Sequence, residues 1–197
     1  KNFILGVKLP GEDGVSGGVD LEAAKEITGK VGSTNECDYI TYAWGAHADT
    51  LDWHLPDVHG PRHPYLNKIR ELHSVIPNTP VAALGLITDP NEAERTLEDG
   101  SAELIMLGRS LVTDAAWASK SLQGREAQIR YCVSCNSCWG EIIAGNNLQC
   151  DNNPRLGEDD EANWWPRPST NKKRVVIVGS GIAGMEADEK KAAIAAL

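Results

Sequence analysis

Four unbroken apolar runs limit most strongly what this chain can fold into. They are NFILGVKL (2–9), DYITYAW (38–44), PVAALGLI (80–87) and AELIMLGRSL (102–111). Apolar runs without polar alternation belong to strands covered on both faces, the habit of parallel sheets. Helical patterns lie between them. DLEAAKEITGKV puts Leu21, Ala24 and Ile27 on one side, and PYLNKIRELHSVI spaces Leu66, Ile69, Leu72 and Ile76 along one face. In DPNEAERTLEDG, Asp89 suits a helix N-cap, Pro90 the first helical position, Glu92 the capping-box partner and Gly100 the C-terminal stop. Strand and helix alternating in this way predict βα units and an α/β fold.

In βα folds the ligand sits beyond the carboxyl ends of the strands, where the βα loops gather. Those loops here read VKLPGEDG, YAWGAHAD, LGLITDP and LGRSLVTD, richer in Gly, charge and His than the strands they follow. Charge narrows the ligand. With 19 Lys and Arg against 28 Asp and Glu, the net charge is −9 and no basic cluster appears, so nucleic acid and anionic membrane surfaces are excluded as partners. Small molecules or proteins remain. No run approaches the roughly 20 apolar residues of a membrane span, and no secretory leader is visible. A cytoplasmic setting is the expectation. The first apolar run begins almost at Lys1 with no element ahead of it, as in a piece of a longer protein.

Cys132, Cys135, Cys138 and Cys150 place four of the five cysteines in IRYCVSCNSCWGEIIAGNNLQC. Three soft thiolates on a C-x2-C-x2-C run, with a fourth further on, match a loop wrapped around a [4Fe–4S] cube. Zinc sites more often use two separated pairs, and zinc is the alternative here. Cys37 is expected to be a small buried hydrophobe. Beyond an acidic linker, VVIVGSGIAG carries G-x-G-x-x-G at Gly179, Gly181 and Gly184 directly after β-branched residues. These glycines suit a tight turn, a pyrophosphate contact and close helix packing, in that order. The acidic residue expected about 20 positions later, to hold a ribose, would fall at or beyond Leu197.

The order of these motifs resembles the multidomain iron–sulfur branch of the old yellow enzyme-like flavoproteins, the branch of trimethylamine dehydrogenase and 2,4-dienoyl-CoA reductase. The resemblance spans residues 1 to about 187. It implies a partial flavin-binding barrel over 1–127, the C-terminal half of a TIM (β/α)8 barrel. A [4Fe–4S] cysteine loop over 128–155 and a linker over 156–172 would follow, and then the start of a Rossmann-like FAD or NAD(P) domain over 173–197. It also implies that Gly85 and Leu86, with Gly108 and Arg109, form an FMN phosphate site. Backbone N–H groups and a guanidinium suit a phosphate dianion. Lys8 takes the place of an arginine near the flavin pyrimidine. It keeps the charge but loses the bidentate fork, and a snorkelling surface lysine is the other reading. His47 resembles the proton donor of the dienoyl-CoA reductases; its alternative is a loop histidine with local hydrogen bonds.

The expected activity is FMN- and [4Fe–4S]-dependent oxidoreduction between an organic substrate (an enoyl thioester, an enone or an amine) and a dinucleotide or an electron-transfer protein, within a monomer or homo-oligomer. The alternative is a non-catalytic zinc-binding or interaction module.

Overall fold

The computed structural model describes residues 3–164, 174, 176–181, 183–185 and 187. Positions 165–172 of the expected linker and 188–197 of the expected dinucleotide domain lie outside the described residues. The chain divides into two compact units, Lys1–Leu156 and Gly157–Leu197. The first holds one sheet of four parallel strands, β1 (Gly6–Glu12), β2 (Tyr39–Trp44), β3 (Val81–Ala83) and β4 (Leu104–Ile105), hydrogen-bonded in the order β1-β2-β3-β4. Helix α1 (Leu21–Gly32) links the first pair, α2 (Leu51–His54) and α3 (Leu66–His73) the second, and α4 (Pro90–Glu98) the third. After the last strand come α5 (Arg109–Thr113), α6 (Trp117–Leu122) and α7 (Ser137–Ile143). Parallel strands that follow one another in both sequence and space wind in a single direction, as in an arc of a βα barrel.

Register sorts the side chains. Leu9 lies opposite Tyr42, and Ile40 opposite Val81; all four join the core with Ala24, Ile69 and Leu72. The residues that alternate with them, Lys8 opposite Thr41 and Thr41 opposite Ala82, share the other face of the sheet.

The helix punctuation acts as the sequence predicts. Asp20 accepts from the Ala23 N–H at 2.8 Å, both halves of the Asp89–Glu92 capping box form, and Gly100 takes φ +69° just past the end of α4. Cys37 packs, partly buried, against the core.

The strands depart from their predicted lengths. β1 starts at Gly6, where its ladder with Tyr39 begins, so Phe3 and Ile4 are left exposed. The run 80–87 leaves the sheet after Ala83, because Gly85 and Leu86 adopt φ +108° and +54°. The run 102–111 ends at Leu104–Ile105, and Gly108 then caps α5. Apolar content does not fix ladder pairing: Leu86 and Ile87 are buried beyond the end of β3, whereas Leu104 and Leu111 stay exposed.

In the second unit, Val176–Val178 form no strand among the described residues. A strand needs a ladder partner, and none of the described residues there supplies one.

Candidate functional site

The cysteine loop is fixed from below by a buried carboxylate. Asp114, at the end of α5, accepts from the Lys120 ammonium at 2.5 Å and from the Arg130 N–H at 2.9 Å, two residues before Cys132. The loop then takes left-handed conformations at Ser134 (φ +56°) and Asn136 (φ +60°), uncommon for residues with a Cβ. The result is that Cys132, Cys135, Cys138 and Cys150 all line one cavity, together with Arg109 and Thr113. The Ser134 N–H donates to the Cys132 sulfur at 3.4 Å, the Cys135 thiol donates to Asp151 at 3.5 Å, and the Thr113 hydroxyl lies 3.6 Å from the Cys150 sulfur.

Burial pushes the Cys138 thiol above its ordinary value, and neighbouring Cys132 and Cys150 add to that, against the Trp139 N–H and the Arg109 charge. Among the described residues, no three His, Cys, Asp or Glu side chains converge closely enough for a single metal ion. A cube spreads its four ligands over four irons, a wider span than one ion allows. Four thiols around one cavity are the donor type that an iron–sulfur cluster takes.

The ends of β3 and β4 meet beside this loop. Ser110 donates to the Ile87 carbonyl at 3.1 Å, joining the Gly85–Leu86 turn to the Gly108–Arg109 turn. A Cβ at Gly85 would strike the Tyr65 ring, which itself stacks on Trp44 at 4.5 Å. The N–H groups of Gly85, Leu86 and Arg109 donate to no acceptor among the described residues. The Arg109 guanidinium is otherwise engaged, giving one bond to the Asn136 side-chain carbonyl at 2.5 Å and one to the Pro56 carbonyl at 2.8 Å. The backbone donors, more than the guanidinium, are what these two turns offer an anion.

His47 is exposed at φ +23° on the turn after β2. Thr50 shapes that turn by accepting from the Ala46 N–H and donating to the Asp13 carbonyl, both at 2.7 Å. The His47 ring lies 5.2 Å from His54 and 5.7 Å from Trp139, the residue after Cys138. The Lys8 side chain is exposed and makes no hydrogen bond or ion pair to a described residue. Gly179 takes φ +110°, and a Cβ at Gly184 would overlap the Gly179 carbonyl, while Gly181 has open space around it. The Met185 N–H bonds to the Gly181 carbonyl at 3.0 Å, so a helical turn does begin there.

Sequence reasoning missed Asn136, Thr113 and Trp139. Asn is the side-chain-bearing residue most at home in the left-handed region, so an Asn inside a ligand run was a signal for the first. Nothing local marks the other two.

No family model matches the chain. It is 38% identical over 119 residues to the NADH oxidase of Thermoanaerobacter brockii, covering 59% of this chain and 18% of that protein. Over 172 residues it is 30% identical to the bilirubin reductase of Mediterraneibacter gnavus, covering 87% of this chain and 26% of the relative. In structure it matches a 2-naphthoyl-CoA reductase complex with TM-score 0.78 at 22% identity, over 95% of this chain and 28% of that one. The chain thus spans about a quarter or less of the length of these relatives. The relatives are named as an oxidase and a reductase, so the chain matches part of an oxidoreductase class of proteins, and the structural match agrees with its parallel βα sheet. Within that class, the chain belongs to the old yellow enzyme-like flavoprotein family, in its multidomain iron–sulfur branch.

Proposed function

We propose that the protein is an FMN- and [4Fe–4S]-dependent oxidoreductase acting on a small conjugated substrate, an enoyl thioester or an enone, with a small amine as the other class the family admits. The observation that carries this reading is the convergence of all four thiols on one cavity beside the joined ends of β3 and β4. A non-catalytic zinc-binding module is not favoured, since the relatives that the chain matches are named as oxidases and reductases.

Cys132, Cys135, Cys138 and Cys150 would hold the cluster, which supplies one-electron exchange. The N–H groups of Gly85, Leu86 and Arg109, with Gly108 at the cap of α5, would hold the FMN phosphate, and bound FMN supplies hydride chemistry. Lys8, exposed on the sheet face that it shares with Thr41, would place a cation where negative charge gathers. His47 would deliver a proton to the substrate carbon opposite the hydride, the general-acid task of an imidazole held beside the site. Gly179, Gly181 and Gly184 would begin a site for FAD or NAD(P), where the tight turn clears space for a pyrophosphate. Thiols kept reduced in one loop suit a cytosolic setting, and among the described residues no helix is long and apolar enough to cross a membrane. An electron-transfer protein would be the partner where a dinucleotide is not.

The test uses the full-length protein prepared without oxygen. It should carry FMN and oxidise NADH or NADPH when given an α,β-unsaturated thioester or ketone. His47→Asn should slow that turnover about a hundredfold or more while nicotinamide still bleaches the flavin absorbance. Protein that carries no flavin, or whose His47→Asn variant turns over at the normal rate, would contradict the respective part of the reading.

A further inference from the structure

Thr113 is buried to 1% exposure on α5 and lines the same cavity as the four cysteines. Its hydroxyl stands between a carbonyl and a sulfur, giving its proton to the Arg109 carbonyl at 2.9 Å while lying 3.6 Å from the Cys150 sulfur. The contact is held from both sides. Asn153 donates from its side chain to the Val112 carbonyl at 2.9 Å and from its backbone to the Cys150 carbonyl at 3.2 Å, so Cys150 is pinned beside α5.

As a thiol, Cys150 can donate to Thr113. As a metal-bound thiolate it has no proton and can only accept. The hydroxyl has a single proton and a rotatable C–O bond, so it can turn from the carbonyl to the sulfur without moving α5. We infer that Thr113 sets the reduction potential of a cluster held by Cys150, by donating a hydrogen bond to that ligand. The inference rests on the cluster reading proposed above. Hydrogen bonds to ligand sulfurs stabilise the more negative, reduced state and so raise the potential. Thr113 is a tuning residue here and touches no substrate.

The test is a redox titration of the full-length holoprotein, followed by the low-temperature EPR signal of its reduced cluster. Thr113→Val keeps the side-chain shape and removes the donor. Its midpoint should fall by about a tenfold change in the reduction equilibrium, about 59 mV for one electron. Thr113→Ser, which keeps the hydroxyl, should stay close to the wild type, and Thr113→Ala removes the donor with less bulk should the valine variant fold poorly. A loaded Thr113→Val or Thr113→Ala protein at the wild-type potential overturns the inference alone. Wild-type protein that takes up neither iron nor sulfide overturns the cluster reading and this inference with it.

Discussion

Arg109 donates to the side-chain carbonyl of Asn136 across 2.5 Å, joining the first residue of α5 to the middle of the cysteine run 27 residues later. Asn136 passes the connection on, donating to the Leu55 carbonyl at 3.1 Å, while the second arm of Arg109 reaches Pro56. Three segments distant in sequence are thereby clamped around the thiols. Asn136→Ala removes both bonds and leaves a Cβ residue at φ +60° without the compensation Asn provides. It should cost about 2–3 kcal/mol in urea unfolding of the full-length protein. Asn136→Gly, which relieves the backbone but also loses the bonds, should fall between that variant and the wild type.

Asp114 and Lys120 make a second prediction. The pair is 4% and 12% exposed, and the carboxylate also takes the Ala116 and Arg130 N–H groups. Removing one partner of a buried pair strands the other charge, so Asp114→Ala should cost roughly 3–5 kcal/mol. Asp114→Asn keeps acceptor oxygen for the backbone and should cost less. Denaturation midpoints of the two variants give the comparison, and equal losses would show that charge plays no part.

Acid sensitivity should centre on Glu92. Burial opposes its ionisation, but the Arg62 guanidinium, the Thr88 and Asp89 N–H groups and His63 outweigh that, and hold the carboxyl at about 2 against an ordinary 4.5. A carboxyl lowered on folding contributes stability that is fully present above 4.5 and lost as the pH falls through about 2. Glu92→Gln should therefore be less stable than the wild type at neutral pH, with the gap closing on acidification. A gap constant with pH, followed by urea midpoints, would sink this assignment.

Gly85 cannot be replaced cheaply. At φ +108° and with a built Cβ 2.6 Å from the Tyr65 ring, Gly85→Ala must both strain the backbone and displace Tyr65 from Trp44. The expected cost is about 2 kcal/mol or more, read as a lower melting temperature. A change in tryptophan emission should accompany it.

Much of this frame is legible in the amino-acid sequence alone. Asp89, Pro90, Glu92 and Gly100 announce α4, because capping is local chemistry between residues a few positions apart. The cysteine spacing likewise marks Cys132, Cys135 and Cys138, which line one cavity with Cys150. What escapes is whatever depends on residues far apart along the chain. Nothing near Arg109 shows that its side chain will reach Asn136 instead of standing free at the turn, and nothing near His47 shows that Trp139 will lie beside it. The strand limits are blurred for a related reason, since Leu84 to Ile87 are apolar enough to extend β3, yet the left-handed pair Gly85 and Leu86 turns the chain away.

The most direct test is the iron and acid-labile sulfide content of full-length protein purified without oxygen, beside the four variants Cys132→Ser, Cys135→Ser, Cys138→Ser and Cys150→Ser. The account predicts about four irons and four sulfides per chain in the wild type, lost or sharply reduced in each variant. Stoichiometric zinc with no sulfide, or a full complement of iron and sulfide in the Cys150→Ser protein, would contradict it.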